Sequence, residues 1–307
     1  MIPLLLAIKD KRAVHGIAMA RFYAYFNISR QGFHQAAISL ERTRLMMSEI
    51  TNQVVAYRLH MDCRAGSRSL FYNLGIKQQF GLGVTKFEAL MAEYGLTLKP
   101  LRLKVVTTKS VMQSWNYPNL ANNLSIDNIN QLVVGDLTYV YIDGKRYFLF
   151  CLTDVYSARI VGHHISKRMR SIEAQSALQK WLKLRESADL RGCIHHTDGG
   201  SQYFAEKYLK ALNKHEMKIS CAKNCLQNGY AEQRNGLLKH HMFPTMKTND
   251  EQKVGIGVSR IINRYNLKRK QHALGWKSPV EFERTLDPKS GGVLHKLYNF
   301  SKAKDGF

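Results

Sequence analysis

Acidic residues are scarce in this chain: of 307 residues only 23 are Asp or Glu, against 46 Lys and Arg, for a formal net charge of +23. A surplus on that scale argues against a basic partner and for a polyanionic one, of which nucleic acid is the commonest. Long apolar runs are missing too. The opening Ile2-Pro3-Leu4-Leu5-Leu6-Ala7-Ile8 is too short to span a bilayer and has no basic stretch ahead of it such as a signal peptide carries. No long basic amphipathic helix offers a membrane-surface mode. The expectation is a cytoplasmic protein with no membrane partner. Cysteine is sparse and odd in number: Cys63, Cys151, Cys193, Cys221 and Cys225 are dispersed through apolar runs, with no C-x-x-C pair. That argues against a disulfide framework and suits a reducing compartment. A zinc site from Cys221, Cys225, His195 and His196 is not expected, because strand positions already account for these residues.

Against this shortage of acids, three carboxylates stand out. Asp136 lies within Leu132-Val133-Val134-Gly135-Asp136-Leu137-Thr138-Tyr139-Val140-Tyr141-Ile142, a β-branched and aromatic run that reads as a strand buried on both faces. Asp198 follows the apolar run Cys193-Ile194-His195-His196-Thr197 and precedes Gly199-Gly200-Ser201, which places it at a strand's carboxyl end, where ligand sites of open α/β sheets gather. Glu232 comes four residues after Asn228, a candidate N-cap, in a proline-free segment from Tyr230 to Met242 that reads as a helix. A helix laid across the sheet brings Glu232 towards the two aspartates. Converging carboxylates repel one another unless cations stand between them, and hard divalent ions with oxygen ligands do this best. The expected cofactor is a pair of Mg²⁺ ions, with Mn²⁺ able to substitute, acting on a phosphodiester by the two-metal route.

The chain divides by composition. Residues 1–60 are helical and basic; Phe22 to Gln35 reads as a short helix, a turn and a second helix capped by Ser29, a helix-turn-helix outline with Arg30, Gln31 and His34 exposed for groove contact. Residues 61–105 form a second helical DNA-binding unit, with Leu70, Leu74, Phe80, Val84, Phe87, Leu90 and Met91 as its apolar face and a helix ending near Gly95. Residues 106–124 have the composition of a linker, 125–285 that of a catalytic core, and 286–307 that of a basic tail. In the core, the Asp136 strand meets Tyr147–Thr153 across Asp143-Gly144, a two-residue hairpin signal, and Ala158–Ile165 completes a meander. Next come a helix (Ile172 to Leu184), a strand, a helix (Phe204 to His215), a strand (Lys218 to Ala222) and the Glu232 helix. The fold class expected is α/β: a ribonuclease-H-like mixed five-stranded sheet flanked by helices, preceded by a helix-turn-helix DNA-binding region.

The chain resembles the OrfB-type transposases of bacterial insertion sequences, whose core is similar to retroviral integrase. The residues that carry the resemblance are Gly135-Asp136-Leu137-Thr138-Tyr139, Tyr147-Phe148-Leu149, Leu152-Thr153-Asp154-Val155-Tyr156-Ser157-Ala158-Arg159-Ile160-Val161-Gly162 and His196-Thr197-Asp198-Gly199-Gly200-Ser201-Gln202-Tyr203. Asn228, Ala231-Glu232, Leu238-Lys239, Tyr265-Asn266 and Ser278-Pro279-Val280-Glu281-Phe282 continue it. The resemblance implies Asp136, Asp198 and Glu232 as the metal ligands of a DDE site, Lys239 as a DNA contact two helical turns beyond Glu232, and Gln202 and Asn228 as residues lining the site. It also implies double-stranded DNA partners, transposon ends and target, a homo-multimeric synaptic complex, an upstream-frame DNA-binding partner, and a bacterial, nucleoid-associated location.

The chain departs from the family in three places. Thirty-three residues separate Asp198 from Glu232, two fewer than usual; Gln227 stands where the family has aspartate, and Val133 where it commonly has tryptophan. The activity implied is cutting of a transposon-end strand and transfer of the freed 3′-hydroxyl to another phosphodiester, the DNA held by phosphate contacts from residues such as Arg260, Arg264, Lys268, Arg269 and Lys270. Two other readings stand beside it: a DNA-binding regulator that has kept the fold without catalysis, and a ribonuclease H in which Glu173 supplies a carboxylate.

Overall fold

The computed structural model describes residues 2–15, 18–100, 116–222, 225–246, 248, 250–286 and 296–298. Residues 106–115 of the expected linker, 223–224 of the loop ahead of Glu232, and 287–295 and 299–307 of the expected tail lie outside them. The chain forms two compact units, Met1–Ala56 with Ile76–Leu96, and Tyr57–Gly75 with Thr97–Phe307. Among the described residues no helix is long and apolar enough to cross a membrane.

The first unit is helical. α1 (Ile2–His15) and α2 (Met19–Tyr25) precede α3 (Arg30–His60), whose final turn passes into the second unit. Leu5, Met19 and Phe33 form its buried centre, with the Tyr23 and Phe33 rings 5.4 Å apart. Ser29 caps α3 as expected, its Oγ accepting from the Gly32 N–H at 2.9 Å. Arg30, Gln31 and His34 are exposed on the first turns of a helix 31 residues long. α4 (Ser67–Asn73) groups with the sheet, whereas α5 (Ile76–Phe80) and α6 (Val84–Glu93) group with the first unit, so the division falls inside the 61–105 segment. Phe87, Leu90 and Met91 of α6 are buried core residues.

The second unit is built on a sheet. A short antiparallel pair, β1 (Leu124–Ile126) with β7 (Lys296–Tyr298), stands apart from five strands: β2 (Leu132–Ile142), β3 (Lys145–Asp154), β4 (Ile160–Ser166), β5 (Ile194–Thr197) and β6 (Lys218–Cys221). The five lie in the order β4-β3-β2-β5-β6; β3 is antiparallel to both neighbours, and β2, β5 and β6 are parallel. Asp143 and Gly144 both have positive φ (50° and 70°), the primed turn whose twist suits a two-residue hairpin. On one face α7 (Ser171–Leu184) and α8 (Glu206–Lys214) bury Leu178, Trp181 and Leu212 against Val133, Phe150 and Leu152. On the other, α9 (Gly229–Leu237), a π turn over Leu238–Met242 and α10 (Val254–Lys268) cover Val140 and Leu149 with Leu238, Met242, Ile262 and Tyr265. α11 (Pro279–Arg284) starts at a capping box between Ser278 and Glu281 and packs Phe282 near Tyr156. Three antiparallel strands followed by alternating helices and parallel strands, helices on both faces, make the ribonuclease-H-like fold that the sequence predicts.

Two features explain residues of the family pattern that do no chemistry. A Cβ at Gly162 would come within 2.4 Å of the Ala177 carbonyl oxygen, so α7 lies on β4 only because this position is glycine. Asp154, fully buried, accepts from the Ser157 N–H (2.9 Å) and hydroxyl (3.0 Å) and the Asn130 N–H (2.7 Å). The Ser157 hydroxyl also bonds Glu283 (2.8 Å), and Glu283 takes charged bonds from Arg159 and from both terminal nitrogens of Arg185 (3.0 and 2.5 Å). This frame ties the β3–β4 turn to the end of α7 and to α11. Burial pushes the Glu283 carboxyl up, but the bonds and charges of Arg185 and Arg159 outweigh it and hold it below the usual range. A second knot joins α4's segment to the same unit: buried Asp62 accepts from Arg269 (3.0 and 3.1 Å), His241 (2.9 Å) and the Arg64 N–H (3.1 Å), and Tyr72 stacks on Trp276 at 3.8 Å.

Removing one side of a buried ion pair leaves the other charge uncompensated, which costs about 3–5 kcal/mol. Glu283→Gln is therefore expected to destabilise the protein by that order, whereas Glu281→Ala, which removes only a helix cap, costs about 1 kcal/mol. Urea unfolding of the two variants checks the ranking.

Candidate active site

The site is built where β2 outruns β5. β2 pairs with β3 along its length, with Asp136 opposite Cys151, but its parallel pairing with β5 stops at Gly135 opposite Thr197. Asp136 is therefore the first β2 residue beyond that pairing, and Asp198 is the first residue after β5 ends. The opening is the crevice at the carboxyl ends of parallel strands. Asp136 is 9% exposed, Asp198 is half-buried, and Glu232, in the first turn of α9, is exposed.

Two amides fasten α9 to β2. Asn235, three residues beyond Glu232 and 3% exposed, donates through Nδ2 to Asp136 Oδ2 at 2.7 Å. Asn228 stands at the N-cap position of α9, but its side chain makes no capping bond; it donates instead to the Gly135 carbonyl at 3.1 Å. This corrects the expectation of a capping side chain. The Gly135 carbonyl, at the last position where β2 pairs with β5, takes the amide instead. His196 holds the segment ahead of α9, its ring between Ser220 Oγ (2.8 Å) and the Gln227 carbonyl (3.0 Å). His195 is a satisfied core histidine between the Val133 carbonyl (3.1 Å) and the Tyr208 hydroxyl (2.8 Å). Burial lowers both imidazoles to about 4.

The acids feel one another. Burial first, then the charge of Asp198 and more weakly that of Glu232, push the Asp136 carboxyl up to about 8, against the opposing bond from Asn235. Burial raises Asp198, offset by the Gly200 N–H at 3.2 Å. Burial and then Asp198 raise Glu232. Such a cluster carries a standing cost of ionisation that a cation relieves. Three buried polar oxygens around it, Asn228 Oδ1, Asn235 Oδ1 and the Tyr203 hydroxyl, have no hydrogen-bond partner. Tyr203 and Asp198 both border Gly200, where an added Cβ would meet Asp198 Oδ1 at 3.3 Å and the Tyr203 ring at 3.6 Å, and burial and then Asp136 and Asp198 oppose ionisation of the tyrosine hydroxyl. The donor set, all hard oxygens, suits Mg²⁺ or Mn²⁺. As the side chains stand, however, no group of three or more His, Cys, Asp or Glu among the described residues is close enough set to hold one metal. The carboxylates share a field without yet sharing a ligand sphere.

The remaining expected residues lie around this opening or away from it. Lys239 is in the π turn, its Nζ 4.0 Å from the Tyr139 ring centroid, with burial lowering its pKa. Gln202 donates to the Met169 carbonyl at 3.0 Å and so braces the segment before α7. Glu173 bonds Arg170 at 2.9 Å and acts on His164, not on Asp136. Arg30, Gln31 and His34 belong to the helical unit. Asn235 carries no signal in the sequence beyond its i+3 spacing from Glu232, and the resemblance implies no role for Tyr203, which closes its run from His196.

Known proteins are similar to this chain over part of its length. The integrase core domain family matches residues 127–224, a span that contains Asp136 and Asp198 and ends short of Glu232. The 31 kDa protein of insertion element IS600 from Shigella sonnei is 31% identical over 205 residues, 66% of this chain and 75% of its own. A putative transposase for insertion sequence element IS986/IS6110 of Mycobacterium tuberculosis is 30% identical over 160 residues, 50% of this chain and 58% of the relative. The transposase for IS629 of Shigella sonnei is 26% identical over 199 residues, 64% of this chain and 66% of its own. Among solved structures, the HTLV-2 integrase catalytic core domain in complex with magnesium shares 16% identity at a TM-score of 0.42, covering 54% of this chain and 99% of that one.

The raised Asp136 carboxyl has a thermodynamic consequence. Its folded pKa of about 8 lies above the ordinary aspartate value of about 3.9, so between these pH values the folded state binds the proton more tightly and stability falls as pH rises. Without divalent metal, Asp136→Asn should melt higher than wild type at pH 8.5, by about 2–4 °C for each kcal/mol relieved, and the difference should close near pH 4. Thermal melts at the two pH values check this; equal offsets at both would contradict it.

Proposed function

The chain belongs to the insertion-sequence transposases that carry an integrase core domain, and from that premise we propose that it is a metal-dependent DNA strand transferase. Its substrate is the element's own terminal DNA. Asp136, Asp198 and Glu232 are the proposed ligands for two Mg²⁺ ions, with Mn²⁺ as substitute. When bound, the ions supply Lewis-acid activation of an attacking oxygen and charge neutralisation at the leaving oxygen of the phosphodiester. The observation that supports this most is that Asp136 and Asp198 are the residues directly beyond the last β2–β5 pair, Gly135 and Thr197, with the helix of Glu232 tied to Asp136 through Asn235.

The protein residues divide the remaining work. Asn235 fixes the rotamer of Asp136 and keeps one carboxylate oxygen engaged, leaving the other for the metal side. Asn228 holds the start of α9 against Gly135, so that Glu232 faces the same opening. Lys239, placed beyond Glu232 on the continuing helix, meets a DNA phosphate. Of the basic residues expected to hold phosphates, Arg260 and Lys268 are exposed and add sequence-neutral positioning contacts, whereas Arg269 is engaged by buried Asp62, Arg264 by the His60 carbonyl and Lys270 by the Tyr72 carbonyl. Arg30, Gln31 and His34 read the element's ends from the helical unit, in a multimer that brings two ends together with an upstream-frame DNA-binding partner. Hydrolysis and strand transfer need no covalent enzyme intermediate, so no serine or tyrosine nucleophile is required. The setting is the bacterial cytoplasm at the nucleoid.

The test is cleavage and strand transfer on DNA carrying the element's flanking ends, with Mg²⁺ or Mn²⁺. Glu232→Gln should abolish both reactions while its DNA affinity stays within about twofold of wild type. Asn235→Ala, which loosens a metal ligand without removing it, should lower the rate by about 10–100-fold. DNA binding without cleavage by the wild type, with the upstream-frame partner present, would instead favour a regulator that has kept the fold.

A further inference from the structure

Strand β2 does not stop at the acids. Beyond Asp136 it continues to Ile142, and its alternation turns Tyr139 and Tyr141 to the face opposite Val140 and Ile142, which are buried. Both tyrosines are open to solvent, 51% and 60% exposed, and neither belongs to a hydrophobic core cluster. Their inner neighbours on that face, Leu137 and Phe148, do pack against the core. The rings stand 6.0 Å apart, edge to face. Cations interleave with them: Lys239 lies over Tyr139 at 4.0 Å, and Arg146, paired across the hairpin with Tyr141, lies over Phe148 at 5.6 Å.

Exposed aromatic faces alternating with basic side chains are how proteins hold unpaired nucleotides, since every base has a face to stack and every linkage a charge to neutralise. We propose that the tip of the β2–β3 hairpin is a binding site for an unpaired base of DNA, stacked on one of the two perpendicular rings of Tyr139 and Tyr141 and held at its edge by the other, with its flanking phosphates on Lys239 and Arg146. By the same alternation Asp136 lies on the face of Val140 and Ile142, and it is Lys239, in the π turn that continues the Glu232 helix, that reaches round to Tyr139 and links the two places. At about 3.3 Å per residue, Tyr139 lies roughly 10 Å and Tyr141 roughly 17 Å along the strand from Asp136, which is about three to five base steps of duplex rise. The site thus receives a base freed from pairing close to the phosphodiester held at the acids, favouring frayed or overhanging ends over blunt ones. A fully paired duplex shows only base edges in its grooves and leaves these rings unused.

This inference rests on the DNA strand-transferase reading, and the experiment separates the two. In the full-length Glu232→Gln protein, which cannot cut, affinity is measured by fluorescence anisotropy for one duplex in blunt form and with a short single-stranded overhang containing 2-aminopurine. The expected result is tighter binding of the overhang with quenched 2-aminopurine emission. Tyr139→Ala and Tyr141→Ala should each remove at least about fivefold of that preference, the low end of what a stacked base contributes, while Tyr139→Phe keeps it and blunt-duplex affinity stays unchanged. Equal affinity for both DNAs, or a preference that survives both alanine variants, would overturn the platform while leaving the strand-transferase reading standing. Failure to bind either DNA would overturn both.

Discussion

Strand β2 is bound by unequal neighbours, and the site depends on that inequality. β3 satisfies one edge over the whole strand, whereas β5 satisfies the other only as far as Gly135. Where that pairing ends α9 comes in, with Asn228 on the carbonyl of the last paired residue, Gly135, and Asn235 on the side-chain carboxylate of the next, Asp136. A buried carboxylate at that place is costly on its own and more so beside Asp198 and Glu232. The apolar packing on both faces of β2 holds it there regardless. A carboxyl perturbed in this way in a crevice is the kind of group the proposed strand transfer would use.

The frame around the site is ionic as well as apolar. The knot of Asp154, Ser157, Arg159, Arg185 and Glu283 fixes the turn after β3 to two helices, and the Asp62 knot fixes the end of α3 to the π turn and the end of α10. The π turn is the continuation of the Glu232 helix. His241, within it, is thus joined through Asp62 to Arg269, so the helix that carries the third acid is anchored at both ends: at its start by Asn228, at its end by His241. Within the π turn Lys239 lies over Tyr139.

Much of this was legible in the residues. β2 coincides with the apolar run Leu132–Ile142, the Asp143-Gly144 hairpin follows its turn chemistry, and Asp198 ends β5 as its glycine-rich sequel suggests. These are local signals, set by period and by backbone preference. The features that stayed hidden depend on partners far along the chain. Asn228 has the chemistry of a cap, and only the buried Gly135 carbonyl, brought to it by the fold, explains why it turns away. Asn235 carries no local signal apart from its i+3 spacing from Glu232. The roles of Asp62 and Glu283 require His241, Arg269 and Arg185 to be brought beside them, which no window of sequence contains. The grouping of α4 with the sheet is likewise a matter of Tyr72 on Trp276 and Asn73 on Lys270, not of composition.

The central claim is that Asp136, Asp198 and Glu232 form one divalent-metal site. The most direct test is anomalous diffraction from crystals grown with Mn²⁺. The account predicts a peak bonded to oxygens of both Asp136 and Asp198, with Glu232 drawn in from its exposed position and the Asn235 bond to Asp136 kept. Manganese bound elsewhere, or no peak between the two aspartates at a concentration that supports strand transfer, would contradict it.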